Sequence, residues 1–367
     1  MVKIKILVAF TTNDVNNPFV KELIEGLKHS ECVVSWSLED FWNKKGNYDI
    51  IHIQWPEYLF SKRFTDGDLD LLHDTLEYWK RKSAIILTRH NKQPHNVKGG
   101  GLYCRLYDLI YSFCDGIAHL GPYDLDEFTS RYSCDCYGNT IMHRVIPHHI
   151  YINSYVRGVD QKTARHLLDI DVEKFVILVF GRIRHDEEKR LLKSLFKQYR
   201  RDDILFLVPS WLPFDKGVGL KGMFRNIFDK IQLALINLNK NVIVSDKFIA
   251  DEWVPFFFNA SDAILIPRTD CLNSGNITLG FYFKKIVIGP MVGNIEFELR
   301  ESGNVLFAPA SKPSLKNAIT EAKKSAFENR GLDNYKYAME NRHPDIIAGW
   351  YRILYEDCIR KRRFVEG

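Results

Sequence analysis

The chain has 367 residues, 46% hydrophobic and 26% charged, with a formal net charge of +5. That length exceeds one ordinary core and suits two domains, while the balance is that of a globular protein whose charge is too small to single out nucleic acid. No run approaches the ~20 apolar residues of a membrane span, and seven cysteines without a C-x-x-C pair give neither a disulfide framework nor a zinc site.

Met1–Leu7 alternates charged and apolar residues and lacks a cleavage site, so a first strand over Ile4–Phe10 is expected and not a signal peptide. Asn17-Pro18 then opens a helix, with Pro in its first turn and Phe19, Val20, Leu23, Ile24 and Leu27 as its apolar stripe. Further strands are expected at Cys32–Trp36, Ile50–Gln54, Ala84–Thr88, Gly116–Leu120 and Arg144–Ile146. Asp66, Asp68 and Asp70 with Glu77 imitate a calcium loop, but Leu71 stands where that loop needs Gly. Leu69, Leu72, Leu76 and Trp79 instead give a helical stripe, so an acid-rich helix start is expected and no metal site.

The stretch Tyr151–Asp171 is polar and less regular, and the domain boundary is expected there. The second half offers strands at Phe175–Phe180, Ile204–Val208, Val242–Ser245, Ala263–Ile266, Ile286–Ile288 and Val305–Phe307. Several strands are continuous apolar runs, as parallel strands covered on both faces require. Pro344–Arg360 carries Ile346, Ile347, Trp350, Tyr351, Leu354 and Cys358 at helical spacing, and Arg360-Lys361-Arg362-Arg363 makes a basic helix end. Those cations suit the C-terminal dipole; contact with an anionic membrane surface is the alternative. The expected fold class is α/β, with two Rossmann-like domains.

Three groups of residues could carry chemistry. Arg182 and Arg184 follow the first strand of the second half, where ligands of open α/β sheets bind, and guanidinium groups grip phosphate bidentately. Asn273-Ser274-Gly275-Asn276 separates a strand from a helix, whose N-terminal N–H groups and dipole favour an anion. In the first half, His52, His90, His119 and His148 mark strand ends of one polarity. A neutral histidine there can accept a proton from a hydroxyl or donate to a phosphate. The chain lacks H-E-x-x-H, a Walker A lysine loop and G-x-S-x-G, and its first strand does not lead into G-x-G-x-x-G, which argues against a dinucleotide oxidoreductase.

These segments resemble the GT4-like group of GT-B glycosyltransferases. Asn259-Ala260-Ser261-Asp262 matches the group's N-A-A/S-D step, and Asn273–Asn276 its diphosphate-holding loop. Gly181-Arg182-Ile183-Arg184 resembles the start of its G-x-I/L-R-x-x-K pattern. The lysine position holds Glu187, leaving Lys189 or Arg182 as the substitute. The Gly293 turn offers Glu296 and Glu298 for the family's sugar-facing glutamate, with the spacing off by one, and the spaced glutamate pair of many members falls on Cys271 and Leu279. In the first half, His52-Ile53-Gln54-Trp55-Pro56-Glu57, His90-Asn91 with Pro94-His95, and Ile146-Pro147-His148 resemble three N-terminal motifs, with Gln54 and His149 as departures.

The resemblance implies an acceptor-side domain over 1–155, a donor domain over 170–342, and a helix over 343–367 that packs back on the first domain. It implies transfer of a sugar from a nucleotide diphosphate sugar to a glycan or lipid-linked glycan, with retention by analogy and no metal or other cofactor. The donor would lie in an interdomain cleft, held by Arg182, Arg184, Lys189, Asn273, Ser274, Gly275, Asn276 and one of Glu296 and Glu298. Asn13, His90, Asn91, His95 and His148 would shape the acceptor pocket, and His119 would be the catalytic or phosphate-facing group. Seven scattered cysteines read as reduced, unpaired thiols and imply a cytoplasmic location, and the resemblance adds peripheral contact at the inner membrane face. A sugar-nucleotide epimerase and an inactive GT-B-like binding subunit are the alternatives.

Overall fold

A computed structural model describes residues 3–11, 17–60, 63–92, 101–132, 134–136, 138–211, 230–247, 249–309 and 311–366. Asn13 and His95 lie outside the described residues. The chain divides into two compact units, Met1–Ser154 with Asn341–Gly367, and Tyr155–Glu340.

The first unit holds strands β1 (Ile4–Ala9), β2 (Cys32–Trp36), β3 (Ile50–Ile53), β4 (Ala84–Arg89), β5 (Gly116–His119) and β6 (Met142–Val145). Its helices are α1 (Pro18–His29), α2 (Leu38–Trp42), α3 (Asp66–Lys82), α4 (Gly101–Phe113) and α5 (Pro122–Thr129). The strands form a parallel sheet in the order β2-β1-β3-β4-β5-β6, with Ile6 beside Ile50 and His52 beside Ile86. Every residue of β4 is buried, so both of its faces are covered, and a continuous apolar run is what that position demands. Helix α1 starts because the Asn17 side chain accepts from Phe19 N (3.0 Å) and Val20 N (3.4 Å) while Pro18 fits the first turn. The acids at the head of α3 cap it: the Asp68 carboxylate accepts from Thr65 N at 2.8 Å.

In the second unit, β7 (Phe175–Leu178), β8 (Ile204–Val208), β9 (Val242–Val244), β10 (Ala263–Leu265), β11 (Ile286–Pro290) and β12 (Val305–Phe307) form a parallel sheet in the order β12-β11-β10-β7-β8-β9. Helices α6 (Gln161–Leu167), α7 (Asp186–Gln198), α8 (Val254–Ala260), α9 (Gly275–Tyr282), α10 (Gly293–Glu301), α11 (Lys312–Phe327) and α12 (Gly331–Asn341) connect them. Ile177, Phe206, Leu265, Ile288 and Phe307 interlock with Leu192 of α7 in the core, and each such burial contributes about 1.5–3 kcal/mol.

The stretch expected to be an irregular connector contains α6. Asp160 caps it by accepting from Thr163 N at 2.9 Å, and Arg165 ties it to Ala260 O (3.0 Å) and to the Asp262 carboxylate (2.7 Å). Residues 155–170 therefore belong to the second unit. The last helix, α13 (Pro344–Glu366), packs on α1, β4 and β5 of the first unit. Ile347, Ala348, Tyr351, Leu354 and Tyr355 supply its buried face, whereas Trp350 is 37% exposed. Among the described residues, no helix is long and apolar enough to cross a membrane.

Candidate functional site

From β7 the chain turns to one side, towards β8; from β10 it turns to the other, towards β11. The loops leaving these adjacent strands diverge, and this is where an open parallel sheet makes its ligand crevice. The loop after β7 turns at Gly181, whose φ of +91° favours glycine. Ile183, 2% exposed, anchors the loop, and Arg182 and Arg184 on either side of it are exposed.

The loop after β10 lies against it. Asn276 donates its side-chain amide to Phe180 O at 2.8 Å. Arg268 donates to Arg182 O (3.0 Å) and to the Glu188 carboxylate (3.2 Å), and Glu188 is 3% exposed. Glu188 also accepts from Arg184 N at 3.5 Å. Ser274 begins α9 with extended backbone (φ −144°, ψ 114°), and its side chain makes no cap hydrogen bond. Ile277 N donates to Ser274 O (3.2 Å), and the side chain of Ser274 takes none of the first-turn N–H groups of α9, so the positive end of the helix adjoins the arginine loop. Lys189 follows Glu188 in α7 and is half-buried.

A third segment braces this pair. Gly293 has φ +54°, and a Cβ there would meet Cys271 O and Leu272 O at 2.8 Å. Asn294 donates its side chain to Asn273 Oδ1 (2.7 Å) and its N–H to Leu272 O (3.0 Å). Glu296 pairs with Arg300 at 2.7 Å on the outside of α10. Glu296 and Glu298 are two residues apart, about 200° around a helix, so only one of them can face this loop. Burial pushes the Cys271 thiol up to about 11, so it stays protonated and is no nucleophile. The crevice is cationic, with donors on both walls: a site chemically suited to phosphoryl oxygens.

In the first unit, the ends of β3 and β4 carry a hydrogen-bonded chain. His52 bonds Thr88 Oγ1 and Tyr355 OH, each at 2.8 Å, and Thr88 Oγ1 bonds Tyr351 OH at 2.9 Å. Gln54 reaches His52 Nε2 (3.0 Å) and His90 Nε2 (3.0 Å). His90 stacks on Trp55 at 3.8 Å and is 8% exposed. Asn91, next in the chain, is half-exposed. Burial holds the pKa of His52 down at about 3, so it is neutral and serves as a brace between β3, β4 and α13.

His119 is fully buried, with Nδ1 on the Asp124 carboxylate (3.0 Å) and Nε2 on His143 Nδ1 (3.1 Å). Asp124 also pairs with Arg89, which donates onward to Glu127 at 2.8 Å. Both ring nitrogens of His119 are thus engaged within the protein, an arrangement that suits positioning of α5 and not direct contact with a substrate. His148 donates from Nδ1 to His149 O (2.8 Å), and Tyr151 OH donates to its Nε2 (3.1 Å). It is neutral, because burial lowers its pKa to about 4.

No protein-family model matches the sequence, and no curated protein matches it. Solved structures do match. Sucrose-phosphate synthase from Thermosynechococcus elongatus superposes with a TM-score of 0.69 at 14% identity, over 98% of this chain and 100% of that one. Anabaena HepE in complex with UDP-glucose gives 0.68 at 14% identity, over 96% and 100%. A glycosyltransferase from Rickettsia africae gives 0.63 at 13% identity, over 98% and 99%.

The chain has the GT-B fold.

Within that fold, the second unit brings together Arg182, Arg184, Asn273, Ser274, Gly275 and Asn276 at one switch point. Sequence reasoning missed Glu188, Arg268 and Asn294, which hold those residues in place. Arg268 had a usable signal, since it follows Pro267 directly at the end of an apolar strand. Glu188 and Asn294 had none, because the Arg268 and Asn273 side chains they hold lie 80 and 21 positions away.

Proposed function

We propose that this protein is a glycosyltransferase that moves a sugar from a nucleotide diphosphate sugar to a hydroxyl of a glycan or lipid-linked glycan, on the cytoplasmic side of a membrane. The observation that carries this reading is the Asn276–Phe180 bond, which ties an arginine-bearing loop to a helix N-terminus at the switch point of a parallel sheet. Support comes also from Anabaena HepE, of like fold, whose solved structures include complexes with UDP and with UDP-glucose.

In this reading, Arg182, Arg184 and Lys189 take the diphosphate oxygens together with the N–H groups of Ser274–Asn276. Asn273, held by Asn294, fixes the loop, and one of Glu296 and Glu298 meets the sugar. As the glycosidic bond to the donor breaks, negative charge grows on the leaving diphosphate. Fixed guanidinium groups and amide dipoles stabilise that charge more than they stabilise the ground state, so the step needs no metal. His90, Asn91 and His148 shape the acceptor side, with Asn13 and His95 assigned to it by the resemblance alone. His119 acts as a positioning residue through Asp124.

The test is incubation with UDP-, GDP- and ADP-sugars, with and without glycan acceptors. Acceptor-dependent nucleotide release is the expected result. Isomerisation without acceptor would identify an epimerase, and binding without turnover an inactive subunit.

A further inference from the structure

A second cavity lies at the other end of the second unit's sheet, beside the amino ends of β10 and β11. It measures about 380 Å³ and is lined in part by Arg157, Gln161, Asn259, Asp262, Lys284 and Lys285. The donor reading gives it no role, since the phosphate-holding loops follow the carboxyl ends of the strands.

Its charge is unbalanced. Lys285 is 9% exposed, and Nζ donates to two neutral acceptors, Asn259 O (3.2 Å) and Ser261 O (2.7 Å). An ammonium carries three donors, so one remains beyond these two bonds. Arg157 donates to Tyr335 OH at 2.8 Å and lies over the Tyr335 and Tyr282 rings at 4.1 and 5.0 Å. Lys284 sits 5.5 Å over the same Tyr335 ring and is exposed. Among the described residues, none of these three cations forms an ion pair.

The two acids in the wall are engaged elsewhere. Asp262 accepts from Arg165 (2.7 Å), Val176 N (2.7 Å) and Gln161 (2.9 Å). Asp160 accepts from Thr163 N (2.9 Å) and its hydroxyl (2.6 Å). Asn259 Nδ2 is buried and has no hydrogen-bond partner among the described residues. Burial lowers the Lys285 pKa to about 8, with the charge of Asp262 opposing it only in part, and a dianion in the cavity would offset the remaining cost of burying that ammonium. The volume exceeds what a bare phosphate fills and leaves room for a hydroxyl-bearing body beside Gln161 and Asn259.

We infer that this cavity binds a small phosphorylated, hydroxyl-bearing molecule of about sugar-phosphate size, at a site distinct from the donor crevice. The test is calorimetric titration of the full chain with ribose 5-phosphate at fixed ionic strength, with ribose as the uncharged control. The expected result is one site for ribose 5-phosphate and none for ribose. Affinity should fall tenfold or more in Lys284→Glu and in Lys285→Met, and change less than twofold in the double variant Arg182→Ala/Arg184→Ala. Lys284 is exposed, so K284E keeps the test decisive even where loss of the Lys285 bonds unfolds K285M. Absence of binding to the wild type would overturn the inference. So would binding that survives K284E but disappears in the double variant, which would move the ligand to the donor crevice. The outcome does not depend on whether a nucleotide sugar binds at all.

Discussion

Asn276 and Phe180 are 96 positions apart, yet the side chain of one donates to the carbonyl of the other at 2.8 Å. That bond joins the two loops that leave β10 and β7 in opposite directions. It sets the arginine loop against the first turn of α9. Neither loop alone makes an anion site of much strength; together they supply guanidinium charge and amide donors from two walls.

Asn276→Ala removes this tie without touching the arginines. A single neutral hydrogen bond contributes about 1 kcal/mol, roughly a fivefold change in a binding constant. The expected outcome is a roughly fivefold loss of nucleoside diphosphate affinity by calorimetry, with thermal stability shifted by a few degrees at most. Unchanged affinity would show that the loops hold their places without the bond.

Gly293→Ala tests the brace behind the loop. The new Cβ would have to adopt φ +54° and would lie 2.8 Å from the Cys271 and Leu272 carbonyl oxygens, both backbone atoms. The strain is of order 1–3 kcal/mol. A melting temperature lowered by several degrees is expected, together with a loss of nucleotide binding larger than that of Asn276→Ala, because Asn294 and Asn273 move with the turn.

Much of the architecture could be read from the residues alone, and the reason is burial on both faces. Strand Ile204–Val208 has the expected bounds because a parallel strand between helix layers needs an uninterrupted apolar run. Asn17-Pro18 announced its helix through a local cap. Helix α6 escaped because its stripe is short, although Asp160 followed by Thr163 is a cap signal of the same kind. Histidines at strand ends were legible as a group, but their burial was not. The bonds of His119 to Asp124 and His143, and of His52 to Tyr355, come from tertiary packing. A histidine's role depends on whether solvent reaches it, and residue type does not carry that information.

Those buried histidines give the protein an acid limit. Burial is the main cause that lowers the pKa of His52 and His149 to about 3 and that of His143 and His148 to about 4, from an ordinary 6.5. Above pH 6.5 they are neutral in both states and cost nothing. As the pH falls below 6.5, the unfolded chain takes up protons that the folded chain refuses, so stability drops until the folded values near 4 and 3 are reached. Each fully buried histidine contributes a slope of up to about 1.4 kcal/mol per pH unit in that window. Urea unfolding at pH 7.5, 6.0 and 5.0 should show a steady fall in midpoint, made shallower by His148→Gln. A midpoint that stays flat down to pH 5.0 would contradict this.

The central claim is that the cationic switch point of the second unit holds the diphosphate of a nucleotide sugar. Its most direct test is calorimetric titration with UDP, GDP and ADP and with the matching monophosphates, on the wild type and on Arg182→Ala/Arg184→Ala. One nucleoside diphosphate should bind at least tenfold more tightly than its monophosphate, and the double variant should lose thirtyfold or more of that affinity. Equal affinity in wild type and double variant, or no binding of any nucleoside diphosphate, would contradict the account.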